Sequence, residues 1–592
     1  MSTFAAPEDA AGRRVLGTAL VLLGVGALIL ACACDGESRQ RVADAANGTV
    51  VISPQADDVR QTAATSRSID RVRNSGDSSV TGQTSVKMPA RRLDSLVKNA
   101  RAYRPLRIID VRDSRQLARA LATARFGDDI VLQAGVTYIG AFVLRNKAGS
   151  GWITIRSGSP AVPPAGTRVR PRDAAALPRL MAPEATTPVL STEAGAHNYR
   201  LVGLELTALP GATFSYLLVA LGEGRQTQTT VASMPRNLVL ERLYVHGTST
   251  LNFQRCISLQ SGATAILDSW ISECHSQGFD SQAIAGWNGT GPYQIVNNYL
   301  EAAGENIMFG GADPALPGQL PADIEIRRNH FFKPPAWKGV WTVKNLFELK
   351  MGLRILIEDN VFENCWASAQ TGFAIVFKSA NESGTAAWSE TRDITFRYNI
   401  VRNSQSGLTL NGVESGFPAV RMTRLYIGQN SFERIGNAGD YPGDGILWQA
   451  GNVGDLRMES NTGFGTRAGL QMFGATLTNL AVVNNVFGTL VEGYGWDMSV
   501  SSAEGKGTGT SALNGQATNW IFANNVLTKG PSTFPAGNQY PASAASFGFL
   551  SLPSNLEFAT SSPYRTAGTS GGVPGVDFTA LRSRTQGVVV SP

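Results

Sequence analysis

Charged residues are scarce in this chain, at 17% of 592, and cysteine is scarcer still, with five. An ordinary aromatic content of 8% excludes disorder along the whole length. The cysteines (Cys32, Cys34, Cys256, Cys274 and Cys365) lack the paired spacing that a zinc site needs. Cys256 and Cys274 can pair in an oxidising compartment if the fold brings them together. The simpler expectation is that Cys256, Cys274 and Cys365 are three buried thiols acting as small apolar core residues. A general basic field is missing too. Nine bases against three acids between Arg91 and Ala120 give a surplus of six, equal to the +6 of the whole chain. The rest is close to neutral, with no basic groove interleaved with aromatics, so nucleic acid is not an expected partner. What is plentiful is glycine, at 63 residues, alongside 43% apolar content. That suits a turn-rich all-β protein with a large core.

The N-terminus has the pattern of an export signal. Arg13-Arg14 precede an apolar run from Val15 to Ala33, followed by Cys34. Ile29-Leu30-Ala31-Cys32 resembles a lipobox, which makes Cys32 the expected lipidation site. An uncleaved signal anchor is the alternative, since about 20 apolar residues can span a bilayer. Either way the remainder is expected outside the cytoplasm, periplasmic or at the cell surface and tethered to the membrane. Residues 35–105 are expected to form a disordered linker, rich in Ser, Thr, Asp, Arg and Gly up to about Ala90.

The folded part opens with an amphipathic pattern. Leu117, Ala120, Leu121 and Ala124 fall on one helical face, with Asp113 as N-cap and Gly127 as stop. Short strands follow at Asp128–Leu132, Gly135–Tyr138 and Trp152–Arg156. A helix here would cap the first open rung of a stacked fold.

The decisive feature is a repeat of alternating strand, asparagine, bulky pair and polar turn. Examples are Ile324-Glu325-Ile326-Arg327-Arg328-Asn329-His330-Phe331 and Ile355-Leu356-Ile357-Glu358-Asp359-Asn360-Val361-Phe362. Its asparagines, at 298, 329, 360, 399, 430, 461, 485 and 525, are spaced 31, 31, 39, 31, 31, 24 and 40. Inward residues of each strand stack on their equivalents one rung away. The asparagine sits at a bend, tolerates left-handed backbone and bonds its counterparts as a ladder. The fold expected is all-β: a right-handed parallel β-helix, a solenoid over 106–531 with an N-terminal capping helix. A tail over 532–592 is expected to cap the last coil.

On these residues the chain resembles the right-handed parallel β-helix proteins of the pectin- and pectate-lyase-like superfamily. The opening Gln116-Leu117 and Gly127-Asp128-Asp129-Ile130-Val131-Leu132 resemble the N-terminal cap of its polysaccharide lyases. The stretches Gly304-Glu305-Asn306-Ile307-Met308-Phe309-Gly310-Gly311 and Trp341-Thr342-Val343-Lys344-Asn345-Leu346-Phe347-Glu348-Leu349-Lys350 resemble a bacterial β-helix family of unassigned activity. The resemblance implies the fold, which hosts lyases, hydrolases, esterases and binders alike. The expectation is action on an acidic polysaccharide as a lyase, by β-elimination at uronic acids. The alternatives are a non-catalytic carbohydrate- or partner-binding surface protein and a glycoside hydrolase.

A uronate lyase must neutralise the sugar carboxylate, remove a proton and stabilise the resulting charge. Polar density peaks between Glu273 and Lys350. Lys344 or Lys350 is the candidate base, and His330 or His275 the acid. Asp280, Glu305 and Asp313, on adjacent coils, are candidate oxygen ligands for calcium. Trp287 and Trp341, with Asn306, are candidates for binding sugar. Each has a structural counterpart: Glu348 and Lys350 as a solvent-facing ion pair, His330 packed at a corner, Asp280 and Glu305 capping turn N–H groups. No Asp–Asp pair of the kind a hydrolase needs stands out.

Overall fold

The computed structural model describes residues 84–590, apart from short stretches at 225–226, 437–440, 442, 490–495, 529–533 and 553. Cys32 and the apolar run before it lie outside the described residues. Among the described residues no helix is long and apolar enough to cross a membrane.

The chain winds through three all-parallel sheets of 14, 13 and 12 strands among the described residues, taken in turn by every coil. The first sheet runs from Arg107–Val111 to Ala517–Ala523, the second from Thr137–Ile139 to Val526–Leu527, and the third from Phe142–Leu144 to Val500–Ser502. This is a right-handed parallel β-helix. Its core is a set of rows one residue wide. Ile284, Ile307, Phe347, Ile375, Leu408, Trp448, Leu470 and Val500 lie in register along the third sheet, each almost fully buried. At about 25 cal/mol per Å² of apolar surface, each such side chain contributes roughly 1.5–3 kcal/mol. The helix at Ser114–Thr123 closes the N-terminal end, with Asp113 accepting from Gln116 N at 2.8 Å and Leu117, Ala120 and Leu121 buried.

The asparagine ladder is continuous from Asn298 to Asn525. Asn329 illustrates it: the backbone N–H and Nδ2 of Asn298 donate to its Oδ1, while its own N–H and Nδ2 donate to Asn360 Oδ1. The ladder gains a further member in Asn538, which accepts from Asn525. The left-handed residue is the one before each asparagine (Asn297 at φ 58°, Arg328 at 55°, Asp359 at 63°) and not the ladder residue itself. The bend is taken one position earlier, leaving each ladder amide free to point inward and bond.

Two segments lie outside the coils. Residues 84–103, which the sequence reading places in the linker, run along the outer face of the first sheet. Thr84 donates to Asp455, Lys87 N to Asp393 and Ala90 N to Asp323, and Asp94–Ala102 then forms a helix. The C-terminal tail does more than cap the last coil. It runs back along the ladder corner, from Thr569 on Asn484 through Asp577 on Gln429 to Arg584 on Asp359 and Val588 on Arg168. The protein's own chain thus crosses the first sheet and the corner it shares with the second.

Cys256 and Cys274 form a disulfide, contrary to the expectation of free thiols, while Cys365 is free and buried. Both half-cystines point inward, with Cα atoms 5.9 Å apart across the corner between third and second sheets. Closing a loop of this length stabilises the fold by about 3 kcal/mol.

Candidate functional site

Successive strands of the third sheet, Gln282–Gly286, Glu305–Phe309, Phe347–Leu349 and Phe373–Lys378, carry charge on their outward positions. Strand alternation sends Phe347 and Leu349 into the core and so Glu348 and Lys350 outward, while Glu305 faces Lys344 just before Asn306 and Ile307, which both point inward. Register places Gln282 beside Glu305, and Leu349 beside Phe377, which brings Lys350 and Lys378 onto neighbouring rungs. Loops supply Asp280, Glu382 and Glu414. Two glycines make room. A Cβ on Gly304 would lie 2.3 Å from Ser281 O of the preceding coil, and one on Gly310 (φ +119°) 2.5 Å from the Lys350 Cβ.

The lysines are all held by carboxylates. Lys344 pairs with Asp280 and lies 3.7 Å from Glu305. Lys350 pairs with Glu382, and Lys378 bridges Glu348 at 2.9 Å and Glu414 at 2.7 Å. Burial alone would lower the pKa of Lys344, but Glu305 and Asp280 outweigh it and raise it. Glu348 and Glu382 do the same for Lys350. Both therefore stay protonated and cannot act as the bases expected from the sequence. They are fixed positive charges.

The carboxyls beneath divide. Glu305 is fully buried; burial first, then the neighbouring Asp280 charge, pushes its pKa up to about 7. Gln282 Nε2 donates to its Oε2 at 2.7 Å, and its Oε1 has no hydrogen-bond partner. Glu348 is equally buried, yet Lys378 and Lys350 overcome the burial and hold it down at about 2. Neighbouring acids pushed in opposite directions are the arrangement that acid–base chemistry uses. Glu348 and Lys350 are thus not a solvent-facing pair: Glu348 lies under the lysines and anchors them. Buried polar atoms without hydrogen-bond partners also gather here, with Gln282 Oε1, Asn345 Oδ1 and Arg255 Nε joining Glu305 Oε1. Such atoms are rare in folded proteins and mark places where water or ligand completes the bonding.

The other candidates lie elsewhere or face inward. His330 belongs to the second sheet, buried against Glu363 at 3.0 Å, and burial lowers its pKa; it cannot reach Lys344 chemistry on another sheet. His275 is fully buried at the corner, bonded to Glu273 and stacked on Trp341 at 3.8 Å, with Trp337 edge-on. Trp341 is therefore half-buried with His275 stacked against its ring. Trp287 is buried, its Nε1 donating to Gly224 O, and offers no free face to a sugar. Asn306 points inward and accepts from Lys333, whose buried ammonium also donates to the carbonyls of Ala302, Ala303 and Gly304.

The calcium set does not assemble. Asp313 is tied into a separate loop by Ser383 N, Thr385 N and Thr385 Oγ1, and the Lys344 ammonium already engages Asp280 and Glu305. Among the described residues, no three His, Cys, Asp or Glu side chains are grouped to hold a metal ion. The residues present do not fit a calcium ion bound by Asp280, Glu305 and Asp313.

The sequence reading missed Arg255, Gln282, Lys378, Glu382 and Glu414. Only coil register marks Gln282 and Lys378 as neighbours of Glu305 and Lys350, and nothing in the repeat marks the loop acids.

No protein-family model and no curated protein matches the chain. Solved structures match it at low identity. An alginate lyase from Paenibacillus sp. is 15% identical, with 65% of this chain and 94% of that one covered at a TM-score of 0.24. The PL6 family alginate lyase AlyGC is 14% identical over 73% of this chain and 53% of that one, at 0.37. PfbA, a surface adhesin of Streptococcus pneumoniae, is 11% identical over 68% and 90%, at 0.27. Likeness of this degree carries nothing about chemistry.

Proposed function

We propose that this chain is an exported, membrane-tethered enzyme that cleaves an acidic polysaccharide by β-elimination, using the charged face of the third sheet. The observation that carries the reading is the Asp280–Lys344–Glu305 group. Asp280 and Lys344 reach the surface while Glu305, with a proton affinity near neutrality, lies directly under them. The fixed ammonium groups, each held by its carboxylate partner, offset the charge that develops when the proton α to the substrate carboxylate is removed. The Asp280–Glu305 pair takes that proton. The lysines, held protonated, do not. The Cys256–Cys274 disulfide supports an oxidising compartment, as the N-terminal signal pattern does. Lipidation at Cys32 is part of the same proposal.

Purified full-length protein is mixed with pectate, alginate and glycosaminoglycans, and absorbance near 235 nm and reducing ends are followed together. A rise at 235 nm with one polymer, unaffected by chelator because Lys344 stands where a cation would, supports the reading. Reducing ends without absorbance mean hydrolysis, and neither signal across the panel removes the enzymatic reading.

A further inference from the structure

One cation on this face is unlike the others. Lys344, Lys350 and Lys378 are each within ion-pair distance of a carboxylate, whereas no carboxylate of the described residues lies within 4.0 Å of Arg255. Arg255 stands in register with Gln282, which stands in register with Glu305, so all three share one outward row of the third sheet. The guanidinium lies over the Trp287 ring, 5.0 Å from its centre, and its Nη1 donates to Gln254 Oε1 at 3.0 Å. Its Nε is buried without a partner. Burial lowers its pKa, with Asp280 and Glu305 near enough to pull the other way.

A guanidinium presents five donors in a planar fork, and a carboxylate is the group that fork fits best. Here the flat side is held by Trp287, which orients the fork, and Gln254 uses one donor. A buried Nε left unmet destabilises the empty face, and a ligand oxygen would meet it. The Lys groups already have their counter-charges, so an incoming anion would have to displace Asp280, Glu382 or Glu414 to reach them. At Arg255 nothing has to be displaced.

We infer that Arg255 is the specificity-determining residue of this face, receiving the carboxylate of a uronic acid unit one or two coils from the Asp280–Lys344–Glu305 group. The inference rests on the polysaccharide reading above and sharpens it. Arg255 is a positioning residue: it sets where the chain binds and which charge it must carry, and takes no part in proton transfer.

The test uses full-length wild type, Arg255→Gln and Arg255→Lys on the polyuronate that wild type cleaves and, for binding alone, on the same polymer with its carboxyls reduced to alcohols and on a sulfated neutral glycan. The expected result is a rise in KM of about tenfold or more for Arg255→Gln on the polyuronate. A kcat within about threefold of wild type and partial recovery in Arg255→Lys, which keeps the charge but loses the fork, complete the expectation. In binding, wild type is expected to discriminate against the reduced polymer, which lacks the carboxylate that β-elimination needs, and Arg255→Gln to lose that discrimination. Tight binding of the sulfated glycan that vanishes in Arg255→Gln would reassign the anion from carboxylate to sulfate and overturn the uronate assignment. Unchanged KM and unchanged discrimination in a folded Arg255→Gln overturns the role of Arg255 and leaves the polysaccharide reading standing. If Arg255→Gln does not fold, Arg255→Lys carries the comparison alone: wild-type KM and discrimination in it overturn the requirement for the fork. A wild type that neither binds nor cleaves any polymer overturns both.

Discussion

The Lys344 ammonium bonds Asp280 and lies 3.7 Å from Glu305 Oε1, so one positive charge joins an accessible carboxylate to a buried one. Glu305 comes from a strand of the third sheet, Lys344 from the segment entering the next strand, and Asp280 from the loop before Gln282–Gly286. Three consecutive coils therefore converge on one point. The charge on Lys344 keeps Asp280 in place, and the burial under it keeps Glu305 near the pKa at which a proton is easily given or taken.

Glu305→Gln keeps the shape of this residue and its contact with Gln282, but removes the titration. Loss of kcat by about 10²- to 10⁴-fold is expected, the range a general acid–base group contributes. The variant should retain the wild-type circular dichroism spectrum. Activity within threefold of wild type would remove Glu305 from the chemistry.

Stability against pH follows from the same residue. Glu305 is raised from 4.5 to about 7, so the folded protein binds a proton there more tightly than the unfolded chain. Its contribution is fully present below pH 4.5 and is lost as pH rises through about 7. Glu305→Gln has no such loss. Its melting temperature relative to wild type should therefore be higher at pH 8 than at pH 5, measured by scanning calorimetry at both. A gap that does not change between them would contradict the raised pKa.

Asn360→Ala tests the ladder at its middle. It removes the acceptor used by Asn329 N and Nδ2, and the donor to Ile326 O and Asn399 Oδ1, all fully buried. Each group left unpaired costs about 1–3 kcal/mol, so a loss of about 3 kcal/mol or more is expected in urea unfolding. A loss below 1 kcal/mol would mean that the ladder does not stabilise the coils.

The disulfide gives a chemical prediction. Among the described cysteines only Cys365 should react with a thiol reagent in denaturant without reductant, and two more after reduction. Cys256→Ala with Cys274→Ala should lower stability by about 3 kcal/mol. Three reactive thiols before reduction would exclude the bridge.

The winding of this chain was legible because a ladder needs the same side chain at every coil: Asn298 to Asn525 mark the coils one by one. The helix capped by Asp113 was legible for the same local reason, a capping residue followed by one apolar face. The site was only half visible. Lys344, Lys350, Asp280 and Glu305 stood out because polar density peaks between Glu273 and Lys350, but their partners Glu382 and Glu414 come from loops whose length alone decides where they land. His330 and Lys344 are only 14 positions apart (344 minus 330) and yet face different sheets, because one coil turns a corner between them. The Cys256–Cys274 pairing was open in the sequence but not the expected outcome, since its 18-residue separation is shorter than a coil and joins strands of two sheets across a corner. The tails were unreadable because they follow no repeat and are placed by single contacts, such as Arg584 on Asp359.

The most direct test of the account is hydrogen exchange on full-length Glu305→Gln, with and without the polyuronate that wild type cleaves. The account predicts added protection confined to the third-sheet strands Gln282–Gly286, Glu305–Phe309, Phe347–Leu349 and Phe373–Lys378 and the loops beside them. Protection on the first sheet or along the ladder corner instead, or none at saturating polymer, would contradict it.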